Sequence, residues 1–293
     1  MQWENLTAAD FAQAVGETGT CVIAAGVLEK HGDHLPLGTD FLNGHKIACL
    51  AAEKEPAVVF PPFYFGQIFE TRCFPGTLTV RPTLLLELFQ GVCDEIGRNG
   101  FRKIVIYNAH GGNTNLLRFL AQCSLWEEKT YSIYLPADLL LLSPERRKKW
   151  QETCETSEHG HACECETSIS LANHPELVKM ERVSNTPGKA LRRMQELPPT
   201  FSGIQWYSDY PQHYAGDARP ATKRKGRILR QLIIDSLAEY IAAVKADQVV
   251  PSLQKEFFRR AAEVATRGEP GQPAGILNAA GDARRSQTKR KGT

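Results

Sequence analysis

The sequence predicts an α/β fold with three layers, in which a mostly parallel central sheet lies between two layers of helices. Short apolar segments rich in β-branched residues alternate with longer segments whose apolar residues recur every three or four positions. This alternation is typical of parallel sheets that are covered on both faces. The polar motifs follow the strands directly, and functional residues of such sheets gather at the carboxyl ends of strands.

Strands and helices alternate over most of the chain. Segments with the composition of buried strands are residues 20–28, a segment that starts at Val58, residues 103–108 and residues 131–135. Helical patterns lie at residues 40–54, 83–98, 114–126, 169–172 and 224–246. Local signals set the boundaries, because Thr39-Asp40 opens the first of these helices and Asn99-Gly100 ends the second.

The chain has 293 residues, 42% of them hydrophobic, which is enough to bury a large core without disulfide bonds. We expect one domain over residues 1–267 and a basic tail over residues 268–293, whose Gly-, Pro- and Arg-rich composition predicts disorder. The sequence at 215–226 is nearly repeated at 280–292. We interpret this repeat as an accident or a remnant of duplication without a function of its own.

Composition argues against several classes of partner. The formal net charge of +2 does not suggest a nucleic-acid surface, and the few basic residues near the end of the chain are expected to be solvated. No apolar segment is long enough to span a membrane, and the first residues lack the pattern of a signal peptide. Several of the eight cysteines lie in apolar patterns, where buried reduced thiols are expected. We therefore expect a cytoplasmic protein that binds neither nucleic acid nor membrane.

The first polar cluster, residues 29–40, follows the first strand. Side chains alternate along an extended chain, so Glu29 and His31 point to the same side. Asp40 lies beyond a loop with proline and glycine, and this loop can fold back toward the strand end. Carboxylates combined with imidazole suit zinc or manganese. The alternative is a polar loop whose carboxylates are solvated.

The second cluster is Asn-Ala-His-Gly-Gly-Asn at residues 108–113. A strand that runs through Gly111 and Gly112 into a helix leaves backbone N–H groups free, and these can hold a developing oxyanion. His110, at the strand end, is a candidate metal ligand. The alternative is a tight turn with an exposed histidine.

The third cluster, residues 158–168, concentrates histidine, cysteine and glutamate before an apolar helix. His161 and Glu166 are candidates for a catalytic site, whereas Glu164 is expected to be a surface charge. A second interpretation is a separate structural zinc site formed by His159, His161, Cys163 and Cys165. Gaps of one residue are shorter than the two to four residues of common zinc loops, which disfavours that site.

Five motifs, in order along the chain, resemble the signatures of the creatininase family. The first is Glu-x-His-Gly-x-His-Leu-Pro-Leu-Gly-Thr-Asp, and it matches almost position for position. In the fourth, His-Ala-x-x-x-Glu-Thr-Ser, Cys163 replaces the glycine of the family. The resemblance extends from about residue 20 to residue 245, and its motifs lie at residues 29–40, 74–77, 108–113, 161–168 and 216–226.

This resemblance implies a layered α/β/α domain that assembles into a homo-oligomer, commonly a hexamer, and holds two divalent ions, zinc or manganese. Glu29, Asp40 and His110 would bind one ion, and Asp40 would bridge to a second ion bound by His31. In creatininase itself another carboxylate ligand comes from the position that matches Gly112. Since glycine cannot ligate, we assign Glu166 instead, as in relatives that share this glycine.

The implied activity is hydrolysis of a C–N bond, of the cyclic amide or formamide type, in a small molecule. A water molecule between the two ions would attack the carbonyl carbon, and the N–H groups of Gly111 and Gly112 would support the oxyanion. His161 is the candidate for proton transfer to the leaving nitrogen, or alternatively only binds substrate. We expect His34 to order the loop rather than to ligate.

Two other functions are considered. The protein could be a hydrolase or lyase of a keto-sugar or keto-inositol, or a metal-binding member of the family without catalytic activity. Creatinine itself is not expected to be the substrate. Creatininase carries a tryptophan four residues before the histidine that matches His161, and here that position is Ser157.

Overall fold

A computed structural model describes residues 1–138 and 140–266 of the chain. The chain divides into two compact units, and the first, residues 1–251, contains all the strands described below. The predicted tail at 268–293 and the second copy of the near-repeat at 280–292 lie outside the described residues. In the described ranges, no helix has both the length and the apolar character needed to cross a bilayer.

Helices and parallel strands alternate as the sequence predicts. The helices are α1 (Ala8–Thr18), α2 (Thr39–Lys54), α3 (Pro82–Arg98), α4 (Thr114–Cys123), α5 (Pro144–Thr153), α6 (Glu164–Asn173), α7 (Gln205–Asp209), α8 (Lys223–Ala246) and α9 (Val249–Thr266). The strands are β1 (Thr20–Ala25), β2 (Val58–Val59), β3 (Lys103–Asn108), β4 (Ser132–Tyr134), β5 (His159–His161) and β6 (Ala215–Gly216). The main sheet has the order β2-β1-β3-β4 and is parallel throughout, whereas β5 and β6 form a small antiparallel pair.

The central sheet is covered on both faces, which confirms the predicted α/β/α layering. Successive residues of β1 enter different cores, because side chains alternate between the two faces of a strand. Val22 packs in one core with residues of α2, α5, α6 and α8. Ile23 packs in the other with residues of α1, α3 and α4. The buried face of each helix therefore explains the three- and four-residue periodicity of the sequence.

Three helices of the first unit, α1, α5 and α7, are absent from the expectation based on periodicity. The first two begin with clear local signals: Thr7 accepts a hydrogen bond from the Asp10 amide at the start of α1, and Ser143 does the same for Arg146 at the start of α5. Helix α5 buries only Trp150, so its sequence shows little amphipathic pattern. The α9 segment also lacks a prediction.

Helices α6 and α8 pack closely beneath the third polar cluster. A Cβ atom on Gly226 would lie 1.7 Å from the carbonyl oxygen of Ser168, so this crossing requires glycine. The preceding residue, Lys225, forms a buried ion pair with Glu164. The expectation that Glu164 is a surface charge is wrong: this side chain is fully buried and accepts hydrogen bonds from the amides of Glu155 and Thr156.

Candidate metal centre

The predicted ligands come from neighbouring elements at one edge of the sheet. β1 and β3 pair in parallel, with Ala25 opposite Asn108, so their carboxyl ends meet. Beyond β1 the chain folds back, because the Glu29 amide donates to the carbonyl oxygen of Leu37 at 3.0 Å. This return places Asp40, in the first turn of α2, beside the strand ends. Glu166 reaches the same place from the first turn of α6.

The first group consists of Glu29, Asp40 and His110, which are all buried. His110 donates its Nε2–H to the carbonyl oxygen of Gln67 at 3.0 Å, so its Nδ1 faces the two carboxylates. Glu29 Oε1 and Asp40 Oδ2 each lie 2.8 Å from this Nδ1. Apart from this nitrogen, neither oxygen has a hydrogen-bond partner among the described residues. Two buried carboxylate oxygens that converge on one imidazole nitrogen fit a bound cation, since buried charged groups are costly without a partner.

The second group consists of His31, Asp40 and Glu166. His31 donates its Nδ1–H to the carbonyl oxygen of Glu29 at 3.2 Å, which leaves Nε2 to face the carboxylates. This Nε2 lies 3.0 Å from Asp40 Oδ1 and 3.6 Å from Glu166 Oε1. The two groups therefore share Asp40, whose two oxygens face different imidazoles. A set of imidazole nitrogens and carboxylate oxygens is suited to zinc or manganese.

The carboxylates and imidazoles of the centre shift one another's pKa values. Burial alone would lower the pKa of His110, but Glu29 and Asp40 hold it well above the usual value. Burial likewise opposes protonation of His31, whereas Asp40 and Glu166 raise its pKa well above the usual value. Burial raises the pKa of Glu166, yet His31 and His161 bring it down to about 2. In the absence of a metal ion, protons on the imidazoles compensate the negative charge of the carboxylates. A divalent cation would compete with these protons for the imidazole nitrogens.

His161 forms a further group with Glu29 and His31. Its ring centroid is 4.2 Å from that of His31, and its Nε2–H donates to the carbonyl oxygen of Lys30 at 2.7 Å. Its Nδ1 has no hydrogen-bond partner in the described part of the chain. The same Nε2 is 3.9 Å from Glu29 Oε2, so His161 belongs to the centre rather than to a separate zinc site. The sequence-based alternative that joined His161 to Cys163 and Cys165 does not match this arrangement.

The two glycines after His110 differ in their surroundings. They begin a 3-10 helix, Gly111–Asn113, that leads into α4. A Cβ atom on Gly111 would have no neighbour within 4 Å, so this side of the turn is open. A Cβ atom on Gly112 would lie 2.5 Å from His110 Nε2 and 2.8 Å from the Gln67 carbonyl oxygen. There is thus no room for a carboxylate side chain at position 112.

Sequence reasoning missed His213, which is buried in the centre and hydrogen-bonds to Glu29 through its Nε2. Trp206, in α7, donates its indole N–H to His213 Nδ1 at 3.0 Å and packs edge-on against His161. The one signal in the sequence is a concentration of aromatic residues and histidine at 206–214. That signal has no metal-ligand spacing, so it could not identify the site.

Two residues singled out from the sequence lie at the margin of the centre. His34 is buried and donates its Nε2–H to Thr167 Oγ1 at 2.9 Å, and it belongs to neither group of ligands. Ser157 is exposed. The indole ring that packs against His161 belongs to Trp206, which lies in a different segment of the chain.

The chain is similar to proteins of known activity over most of its length. A family model described as creatininase (creatinine amidohydrolase) matches residues 4–241. A creatinine amidohydrolase from Pseudomonas putida is 26% identical over 249 residues, which cover 76% of this chain and 89% of that protein. A mycofactocin precursor peptide peptidase from Mycolicibacterium smegmatis is 28% identical over 241 residues, which cover 78% of this chain and 86% of that protein.

A solved structure of a mutant creatininase, described as its Zn-Zn type, shares the fold with a TM-score of 0.69 at 21% identity. The likeness covers 84% of this chain and 98% of the other. The family model and the shared fold agree with the five ordered motifs and confirm the expected family. The chain belongs to the creatininase family of amidohydrolases.

Proposed function

We propose that the protein hydrolyses a C–N bond of a small molecule, of the cyclic amide or formamide type, with two divalent ions. One ion would be held by Glu29, Asp40 and His110, and the other by His31, Asp40 and Glu166. Bound divalent ions in such a site supply Lewis acidity and lower the pKa of water. The donor set of carboxylate oxygens and imidazole nitrogens suits zinc or manganese.

The observation that carries the proposal is the position of Asp40 between two imidazoles. Its Oδ2 is 2.8 Å from His110 Nδ1, and its Oδ1 is 3.0 Å from His31 Nε2. Both imidazoles are already oriented by hydrogen bonds from their other nitrogen to backbone carbonyl oxygens. Such bonds fix the tautomer and ring position of a ligating histidine. A carboxylate with one oxygen directed at each histidine is the arrangement needed for a bridging ligand.

The remaining polar groups have roles in proton transfer and charge stabilisation. His161 donates Nε2–H to the Lys30 carbonyl oxygen, so its Nδ1 is the atom that would pass a proton to the leaving nitrogen. The amides of Gly111 and Gly112, at the open start of a helical turn, would stabilise the oxyanion. Glu166 accepts from the Ala162 amide at 2.6 Å, which fixes its second oxygen.

The chemistry of the centre and the two relatives described above support this substrate class. Their names refer to C–N bonds, in creatinine for one and in a peptide precursor for the other. We keep the prediction that creatinine itself is a poor substrate, and that a keto-inositol substrate is the alternative. The expected cytoplasmic location and hexameric assembly remain predictions.

Metal content and activity together test the proposal. We would remove metal with a chelator, reconstitute the full chain with Mn²⁺, and measure bound manganese by plasma mass spectrometry. We expect about two manganese ions per chain in the wild type, most of which are lost in Asp40→Asn. Asp33→Asn is the matched control, because Asp33 lies in the same loop and its exposed side chain pairs with Lys30.

The reconstituted protein would then be screened with cyclic amides, formamides and short peptides, with detection of released amine and formate. Turnover that requires manganese and disappears in Asp40→Asn supports the proposal. A wild type that binds no manganese and stays inactive overturns it. Turnover of keto-inositols without release of amine would replace the C–N substrate class with the alternative.

A further inference from the structure

A second cluster of metal-binding side chains lies beside the candidate centre. Cys154, His159 and Cys165 place their ligand atoms within 4.8 Å of one another. Cys163 adds a further thiol, whose Sγ lies 3.7 Å from that of Cys165. None of these four side chains has a role in the proposed hydrolysis. They come from the end of α5, from β5 and from the start of α6.

We propose that Cys154, His159, Cys163 and Cys165 form a structural zinc site that is distinct from the two-ion centre. Zinc in structural sites is tetrahedral and is commonly bound by three cysteines and one histidine. With Zn–S bonds of about 2.3 Å, two sulfur ligands lie about 3.8 Å apart. The Cys163–Cys165 separation of 3.7 Å corresponds to this edge. It is far longer than the S–S bond of about 2 Å in a disulfide.

One ligand of this site, Cys154, lies outside the alternating residues 159–165 that the sequence suggests as a zinc site. The residues 159, 161, 163 and 165 have gaps of one residue, and the structure directs His161 to the other centre. Cys154 takes its place in the cluster, five residues before His159. The register irregularity in β5 between His159 and His161 lets these two rings serve different clusters.

The loop between Cys154 and His159 is already folded for this role. The carboxylate of Glu164 accepts hydrogen bonds from the amides of Glu155 and Thr156 and from the Thr156 hydroxyl, at 2.7–3.0 Å. These bonds bend the loop back toward the start of α6, where Cys163 and Cys165 lie. His159 is exposed and Cys154 is half-buried, so an ion can reach the cluster from solvent.

A zinc ion here would stabilise the segment that carries two residues of the candidate centre. His161 lies between His159 and Cys163, and Glu166 directly follows Cys165. Ala162 has a φ of 54°, a strained conformation for a residue with a side chain. Zinc ligands at His159 and Cys163, on either side of Ala162, would stabilise its strained backbone conformation. They would thereby preserve the hydrogen bond from the Ala162 amide to Glu166.

Cobalt substitution tests the site, because thiolate ligands give an intense near-ultraviolet charge-transfer absorption that carboxylate and imidazole ligands do not. We would reduce the full chain, remove its metal and titrate it with Co²⁺ alone. We expect this absorption in the wild type, and its loss or a clear decrease in Cys165→Ser and in Cys154→Ser. Zinc content should fall by about one equivalent per chain in the same variants. Cys73→Ser, at an exposed cysteine, is the matched control and should keep both signals.

Two further measurements keep the outcome decisive. His159→Asn changes an exposed position and should alter the cobalt spectrum even if a buried cysteine variant unfolds. Asp40→Asn should retain the thiolate absorption while it loses manganese, which separates this site from the proposed hydrolytic centre. Absence of the absorption in the reduced wild type overturns the proposal, as does an undiminished absorption in a folded Cys165→Ser variant. A chain isolated with a disulfide among these cysteines, and without zinc at them, also overturns it.

Discussion

His213 donates its Nε2–H to Oε2 of Glu29, a residue 184 positions earlier in the chain. Its Nδ1 accepts the indole N–H of Trp206, so both ring nitrogens have a fixed partner and the ring is neutral. Burial accordingly lowers the pKa of His213, and the nearby Glu29 only partly opposes this effect. Because Oε2 is occupied, Glu29 is left with Oε1 to face His110 at 2.8 Å. His213 thus determines which oxygen of Glu29 is presented to an ion.

The variant His213→Asn should weaken metal binding without removing a ligand. Asparagine tolerates the left-handed backbone at this position, where φ is 56°, but its shorter side chain does not reach Glu29. Loss of such an orienting hydrogen bond typically lowers metal affinity by about 10- to 100-fold. Titration of the metal-free protein with Mn²⁺ in a calorimeter measures this change. Trp206→Phe, one bond further from Glu29, should have a smaller effect, and unchanged affinity in His213→Asn would refute the role.

Gly112→Ala should disturb the centre, whereas Gly111→Ala should be tolerated. The new Cβ at position 112 would lie 2.5 Å from His110 Nε2 and would displace the ring from the Gln67 carbonyl oxygen. At position 111 the Cβ meets no atom within 4 Å. We expect Gly112→Ala to lower manganese affinity by about tenfold or more and to destabilise the fold by about 1–3 kcal/mol. Equal behaviour of the two alanine variants would contradict this explanation.

Much of the candidate metal centre can be predicted from the sequence, because most of its ligands lie in motifs that directly follow predicted strands. The strand β3 coincides with its prediction at residues 103–108, since a continuous apolar segment between polar boundaries has few other structures. Parallel pairing of β1 and β3 then brings the motifs after both strands together. The structure accordingly gathers the five side chains that the sequence proposes as ligands: Glu29, His31, Asp40, His110 and Glu166.

The rest depends on contacts that no local pattern specifies. His213 and Glu29 are 184 positions apart in the chain, and the backbone at His213 is left-handed. Glu164 looks like a solvated charge in a polar sequence, yet its partner Lys225 lies 61 positions later. Cys154 joins its cluster through a loop bend that this buried carboxylate holds. The periodicity of a sequence does not predict ion pairs and hydrogen bonds between residues that are far apart along the chain.

Removal of the Glu164 charge should destabilise the protein strongly. Burial would raise the pKa of Glu164, but Lys225 and the amides of Glu155 and Thr156 lower it, so the carboxylate is ionised in the fold. Glu164→Gln leaves the buried ammonium group of Lys225 with a weaker partner. Breaking a buried ion pair from one side costs about 3–5 kcal/mol. Urea unfolding of the metal-free protein at pH 7 measures this loss.

The matched control is Glu155→Gln, which removes the exposed partner of the same lysine. We expect it to change the free energy of unfolding by less than about 1 kcal/mol, as for surface ion pairs. If Glu155→Gln were as destabilising as Glu164→Gln, burial of the Glu164 carboxylate would not explain the loss of stability.

His34 should make the stability of the fold depend on pH in the weakly acidic range. Its Nε2–H donates to Thr167 Oγ1, and that hydroxyl donates in turn to the carbonyl oxygen of Ala162 at 3.2 Å. Burial is the main cause that lowers the pKa of His34 from 6.5 to about 4, although the nearby Glu166 opposes it. The folded state thus binds a proton at His34 less readily than the unfolded state. Its contribution to stability is complete above pH 6.5 and is lost as pH falls toward 4.

Comparison with His34→Gln isolates this contribution, because the other titrating groups are common to both proteins and largely cancel in the difference. Glutamine keeps an N–H donor for Thr167 but does not titrate. Between pH 7 and pH 4, we expect the wild type to lose about 2–3 kcal/mol more unfolding free energy than the variant. Urea unfolding of both metal-free proteins at several pH values measures the two curves. Parallel curves would mean that His34 is protonated as easily in the folded chain as in the unfolded one, and that its hydrogen bond to Thr167 does not keep it neutral.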